Sequence, residues 1–147
     1  MNTILAIDPG AQGGLALLDA QQTVRAFPMP DGMTAQIDLL REIAAEVGPV
    51  QAIMERTGLW MPGDHPNSAA KFARHCGHLE AALYAIGIPT EQVAPGVWMR
   101  ALGELPKDKP DRKRAIRELM ARRYPHLDVT LRTADALGIL TWRLVRP

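Results

Sequence analysis

The sequence predicts an α/β fold, one mixed five-stranded sheet with helices on its faces, in a single domain over residues 1–147. Three observations carry this. Ile4-Leu5-Ala6-Ile7 and Leu15-Ala16-Leu17-Leu18 are short continuous apolar runs, the pattern of central strands buried on both faces. Apolar residues then switch to helical spacing at Ile37, Leu40, Ile43, Ala44 and Val47. From there strand-like and helix-like stretches alternate between Gly and Pro stops, with no repeat, low-complexity segment or linker.

The first strand ends on Asp8, and Pro9-Gly10 stops it. Aspartate is a poor strand residue, and burying its charge unpaired is costly. At the mouth of an apolar strand it needs a metal ion, a basic side chain or backbone N–H groups, unless it merely caps a hairpin in solvent. Gly13-Gly14 permits a tight turn into the second strand. Thr23 to Phe27 reads as a third strand closed by Pro28 and Pro30, so the first thirty residues form an antiparallel meander.

The helix containing Ile37 and Val47 stops at Gly48-Pro49, and Val50 to Met54 is a fourth strand that also ends on an acid, Glu55. Arg56 to Pro66 lacks periodicity and reads as a surface loop. It carries Trp60 and Met61 where polar residues are the norm; Trp60 either folds back on the domain or offers a platform for a base. A long helix, capped by Asn67 or Ser68, runs from Ser68 to about Ile86 with Phe72, Cys76, Leu79, Leu83 and Ile86 on one stripe. His75, Cys76 and His78 do not make a zinc site, because four converging ligands are lacking and Cys76 lies on that stripe. Pro89 to Val93 is a fifth, edge-like strand, and Pro95 to Gly103 turns into a short helix with Trp98 and Leu102 in the core.

Asp111 is the expected cap of the next helix, which turns Ile116, Leu119 and Met120 inward and ends at Tyr124-Pro125. Thr133 is the expected cap of the last, with Leu137, Leu140 and Leu144 on its stripe. That start places Asp135 in the first helical turn, where the helix dipole alone favours an acid.

Charge is divided unevenly. Residues 1–99 carry 5 Lys and Arg against 10 Asp and Glu, whereas residues 100–147 carry 12 against 6, so the basic surplus is a feature of the last third. Such a block is either a solvated helix face or a footprint for phosphate. No apolar run approaches the length of a membrane span, and no export signal is recognisable. A single cysteine, Cys76, excludes an intramolecular disulfide and suits a reducing, cytoplasmic setting.

Three acids thus hold related places: Asp8 and Glu55 at strand ends and Asp135 at a helix start. If the first and fourth strands are sheet neighbours, the first two lie side by side, and a docked final helix adds the third. Three carboxylates at close range repel unless cations lie between them. Oxygen-rich clusters suit Mg²⁺ or Mn²⁺, and a pair of such ions can both activate water and stabilise the leaving oxygen of a phosphodiester.

In this order the acids resemble those of the ribonuclease H-like superfamily and, within it, the RuvC-type Holliday junction resolvases, particularly short phage and prophage members. IDPG followed by GG is similar to the first-strand motif, and AIMER places Glu55 at the second acid. SAAKFARHCGHLEAALYAIGIPTEQVAPGVWMRALG resembles the long helix, fifth strand and Pro-x-x-Trp turn, while KRAIRELMARRYP and TADALGIL resemble the last two helices. The resemblance covers nearly the whole chain. It implies a homodimeric endonuclease that cuts paired strands of a four-way DNA junction using two Mg²⁺ or Mn²⁺ ions, with Asp8, Glu55 and Asp135 as metal ligands and Lys113 beside the chemistry. Lys107, Lys109, Arg112 and Arg114 are then expected on the DNA backbone, and Trp60 against a base.

One position departs from the pattern. The fourth ligand, an Asp or His three residues before the last acid, falls on Arg132, and Asp128 substitutes only through a different loop path. Two other readings compete. A sugar-kinase-like phosphotransferase needs two such domains and a second phosphate turn, more than 147 residues hold. A non-catalytic junction-binding protein keeps the basic block and Trp60 and tolerates Arg132.

Overall fold

The computed structural model describes residues 2–56, 58 and 63–146. Strands β1 (Thr3–Asp8), β2 (Gly14–Leu18) and β3 (Val24–Pro28) form the expected antiparallel meander. After helix α1 (Met33–Val47), strand β4 (Val50–Glu55) returns parallel to β1. Helix α2 (Pro66–Ile86) leads to β5 (Thr90–Val93), parallel to β4. The strand order is β3-β2-β1-β4-β5. Helices α3 (Pro95–Arg100), α4 (Lys109–Arg123) and α5 (Leu131–Val145) complete the fold. Pro28 belongs to β3 rather than ending it, which an edge strand tolerates because its unpaired side needs no N–H.

β1 lies mid-sheet, and its period of two feeds two cores. Leu5 and Ile7 pack beneath α1 and α2 with Leu40, Leu79 and Leu83. Ile4 and Ala6 face the opposite way, onto Trp98, Ile116, Leu137 and Leu140 of α3, α4 and α5. In β4, Ile53 shares that second face. The same alternation carries Asp8 and Glu55 toward α3, α4 and α5, so the face with the acids also receives the basic helix. Leu137 and Leu140 are fully buried against the sheet, and truncating either to alanine should cost roughly 2–5 kcal/mol.

Three helices start earlier than their sequences suggest. α2 is capped by His65, whose Nδ1 accepts the Asn67 N–H at 3.2 Å, instead of by Asn67 or Ser68. α4 is capped by Asp108, which accepts the Asp111 N–H at 3.3 Å, and Asp111 becomes a first-turn acid. Both helices carry proline within their first two positions, and a proline there belongs inside the helix, so the cap precedes it. α5 is capped by Thr130, and Thr133 is instead the third residue of a capping box, its Oγ1 accepting the Thr130 N–H at 3.2 Å. This last shift moves Asp135 out of the first turn, and the helix dipole no longer accounts for it.

Candidate active site

In the β1–β4 register Ile7 is opposite Met54, so Asp8 and Glu55 follow as neighbours at the carboxyl ends of two parallel strands. Their turn is tightly folded: a Cβ on Gly13 would lie 2.1 Å from the Asp8 carbonyl oxygen, a contact only glycine avoids. α5 rides over β1 and β2 and brings Asp135 to the same place. Asp8, Glu55 and Asp135 line one cleft of about 780 Å³, with Lys109, Arg112 and Lys113 of α4 as its basic wall.

The electrostatics reflect that convergence. Burial pushes the Asp8 carboxyl well above its ordinary pKa, and the charges of Asp135 and Glu55 push further, while Lys113 opposes them. Glu55 is raised by burial, lowered by its hydrogen bond from Trp98 and raised again by Asp135. Asp135 is raised by burial and pulled back by Lys113, Arg112 and Lys109. Lys113 therefore acts on all three acids.

Trp98 was expected simply as core. It is fully buried, and its Nε1–H also donates to Glu55 Oε2 at 2.6 Å. α5 admits the indole through Gly138, where an added Cβ would stand 2.6 Å from Trp98 Cζ3. On the other side of the turn His75 Nε2 accepts the Gly10 N–H at 2.8 Å, fixing the chain two residues beyond Asp8. Burial lowers the pKa of His75, which suits an unprotonated acceptor. Sequence signals for both existed, a tryptophan just after a strand-ending Pro-Gly and a histidine beside the apolar stripe of α2, but neither names its partner.

Arg132 does not stand among the acids. Its Nη2 donates to the carbonyls of Met29 at 2.7 Å and Ala11 at 3.1 Å, turning the guanidinium to the far side of the Gly10–Gln12 turn. At the second position of α5 its side chain points to the β3–α1 corner. Asp128 is exposed and does not line the acid cleft. Nor do Lys107 and Arg114: Lys107 offers its carbonyl to Arg112, and Arg114 pairs with Asp111 on an exposed helix face. Trp60 lies outside the described residues.

The donor set suits a hard divalent cation, being three carboxylates held above their ordinary pKa chiefly by burial, with Asp8 and Glu55 raised further by neighbouring acids. They line the cleft without forming a closed cage, since among the described residues no three His, Cys, Asp or Glu groups enclose a single ion position.

This arrangement can be set beside known proteins. Thermus thermophilus RuvC in complex with a Holliday junction substrate superposes with a TM-score of 0.63 over 98% of this chain and 93% of its own, at 16% identity. The chain has the ribonuclease H-like fold of RuvC. Thermus thermophilus RuvC in a second structure gives a TM-score of 0.60 over 97% of this chain and 93% of that one, at 15% identity. The fowlpox virus resolvase in complex with Holliday junction DNA gives 0.51 over 97% and 99%, at 11% identity. No family model and no curated protein matches the sequence. The RuvC-like likeness is therefore one of backbone, and among the described residues no helix is long and apolar enough to cross a membrane.

Proposed function

We infer that this chain is a divalent-metal-dependent endonuclease that cuts four-way or otherwise branched DNA and works as a homodimer in the cytoplasm. The observation that carries this is one cleft holding Asp8, Glu55 and Asp135 opposite a wall of Lys109, Arg112 and Lys113, on a RuvC-like backbone. Carboxylates alone repel phosphate, and cations alone do not cleave it; the two together suit metal-assisted phosphodiester hydrolysis.

Asp8, Glu55 and Asp135 are the residues to hold Mg²⁺ or Mn²⁺. Two such ions, when bound, supply activation of water and stabilisation of the leaving oxygen. The protein's part is positional. Trp98 fixes one oxygen of Glu55 and leaves the other to the cleft. Lys113 faces all three acids and is placed to stabilise charge on the phosphate under attack. Lys109 and Arg112 seat neighbouring phosphates. Lys107 and Arg114 extend that surface outside the cleft, and Trp60 is proposed to stack on a base at the junction centre.

Labelled four-way junction, with linear duplex as control, tests this with and without Mg²⁺ or Mn²⁺. Metal-dependent cutting of the junction in preference to duplex is expected. Tight junction binding with no cutting in either metal would favour the non-catalytic reading.

A further inference from the structure

A second cleft of about 560 Å³ lies on the other side of the Gly10–Gln12 turn from the α4 wall. The two clefts share that turn, together with Ser68 and Phe72, as a common rim. Ser68, Lys71, Phe72 and His75 fall at helical spacing on one face of α2, and all four line the second cleft. Opposite stand Met29, Pro30 and Arg132.

Its walls are fixed by hydrogen bonds. His75 holds the Gly10 N–H at 2.8 Å, Arg132 holds Met29 and Ala11, and Gln36 donates to the Pro30 carbonyl at 2.9 Å while meeting His78. The cleft is thus preorganised, and its volume is that of a small-ligand site. Lys71 is exposed, whereas Arg132 is half-buried and its Nε is buried with no partner among the described residues. Two cations against the single acid Asp31 favour an anion; Phe72 and Met29 supply apolar wall.

We propose that this cleft seats the nucleotide adjacent to the scissile phosphate, its phosphate on Lys71 and Arg132 and its base against Phe72 and Met29. The inference rests on the nuclease reading. A strand crossing the acids along the α4 wall passes over the Gly10–Gln12 rim and enters this cleft without leaving the surface. The enzyme then grips the cut strand on both sides of the acids, which holds the scissile bond taut between them.

The test compares wild type, Lys71→Ala and, as a control, Arg41→Ala, an exposed cation of α1 that lines neither cleft. Junction affinity is measured against salt without divalent metal, and cleavage is measured on junctions with an abasic site on either side of the cut. Lys71→Ala should reduce the slope of log affinity against log salt by roughly 0.9, and Arg41→Ala should not. One abasic position should slow wild-type cleavage roughly 5- to 150-fold, the worth of one stacked base. If wild type binds and cuts the junction while Lys71→Ala behaves like Arg41→Ala, or while both abasic junctions are cut at the normal rate, the second cleft is not a nucleotide site and the nuclease reading stands. If wild type ignores the junction altogether, the nuclease reading fails and takes the cleft with it.

Discussion

Trp98 donates its indole N–H to Glu55 Oε2 at 2.6 Å, joining the most deeply packed aromatic of the α3–α5 core to an acid of the candidate site. Core packing and site geometry are one problem at this point. The hydrogen bond favours the ionised carboxyl, opposing the burial that raises its pKa. Trp98→Phe keeps an aromatic ring in the core, though a smaller one, and removes the donor. Cleavage should fall roughly 10- to 100-fold, as for other residues that orient a metal ligand. The acid limb of the pH–rate profile should move to higher pH, because Glu55 then holds its proton longer. A loss of rate with an unmoved limb would mean that Trp98 acts through packing alone.

Gly138 gives a second approach to the same contact. A methyl there would meet the Trp98 ring at 2.6 Å, closer than packed atoms approach. Gly138→Ala must therefore shift the indole, α5 or both. Overpacking of this kind destabilises by about 1–3 kcal/mol. The thermal midpoint should fall, and cleavage at a temperature well below it should fall too. Unchanged cleavage in a destabilised Gly138→Ala variant would show that the 2.6 Å hydrogen bond tolerates displacement.

What the sequence disclosed and what it withheld divide along physical lines. Apolar periodicity reports burial, and it located the strands, the meander and the inward faces of the helices. It also put Asp8 and Glu55 at strand ends, and the parallel pairing of β1 with β4 sets them side by side. Helix starts were less legible: the proline inside a first turn and the Thr130–Thr133 box each shift a cap by two or three residues, and for Asp135 that shift decides between a dipole effect and a site residue. Side-chain direction was illegible. The family resemblance put Arg132 at the fourth ligand position, yet its guanidinium satisfies two carbonyls across the turn, and nothing in a one-dimensional pattern records which carbonyls will be left bare.

The basic wall makes a separable prediction. Lys109, Arg112 and Lys113 line the acid cleft, whereas Arg114 is engaged with Asp111 outside it. Alanine at Lys109 or Arg112 should weaken junction binding and lower the salt slope by roughly 0.9 each. Arg114→Ala should do less. Lys113→Ala should depress cleavage more than binding, since Lys113 alone opposes the charge of all three acids. Equal effects of the four substitutions on binding would indicate a diffuse footprint without a cleft.

The last prediction concerns the acids themselves. Burial and mutual repulsion raise the pKa of Asp8 above its unfolded value, so the folded protein binds protons more readily than the unfolded chain. The carboxylate's contribution to stability is then most favourable at acid pH and is lost as pH rises through the folded pKa. Near neutrality the ionised trio should destabilise the metal-free protein. Asp8→Asn removes one charge while keeping the shape, and it should raise stability there by on the order of 1 kcal/mol, with a thermal shift of about 2–4 °C. Its stability should also vary less with pH above the ordinary carboxylate range. Divalent metal should reverse the ranking: wild type gains roughly 2.7 kcal/mol at a hundred times the dissociation constant, and Asp8→Asn gains little. Junction cutting should vanish in Asp8→Asn while junction affinity is kept or improved, because a repulsive charge has left the phosphate path. Thermal melts of both proteins across pH, with and without Mg²⁺, read every part of this. A wild type more stable than Asp8→Asn without metal at neutral pH would show that Asp8 is satisfied by the protein itself and is not a cation ligand in waiting.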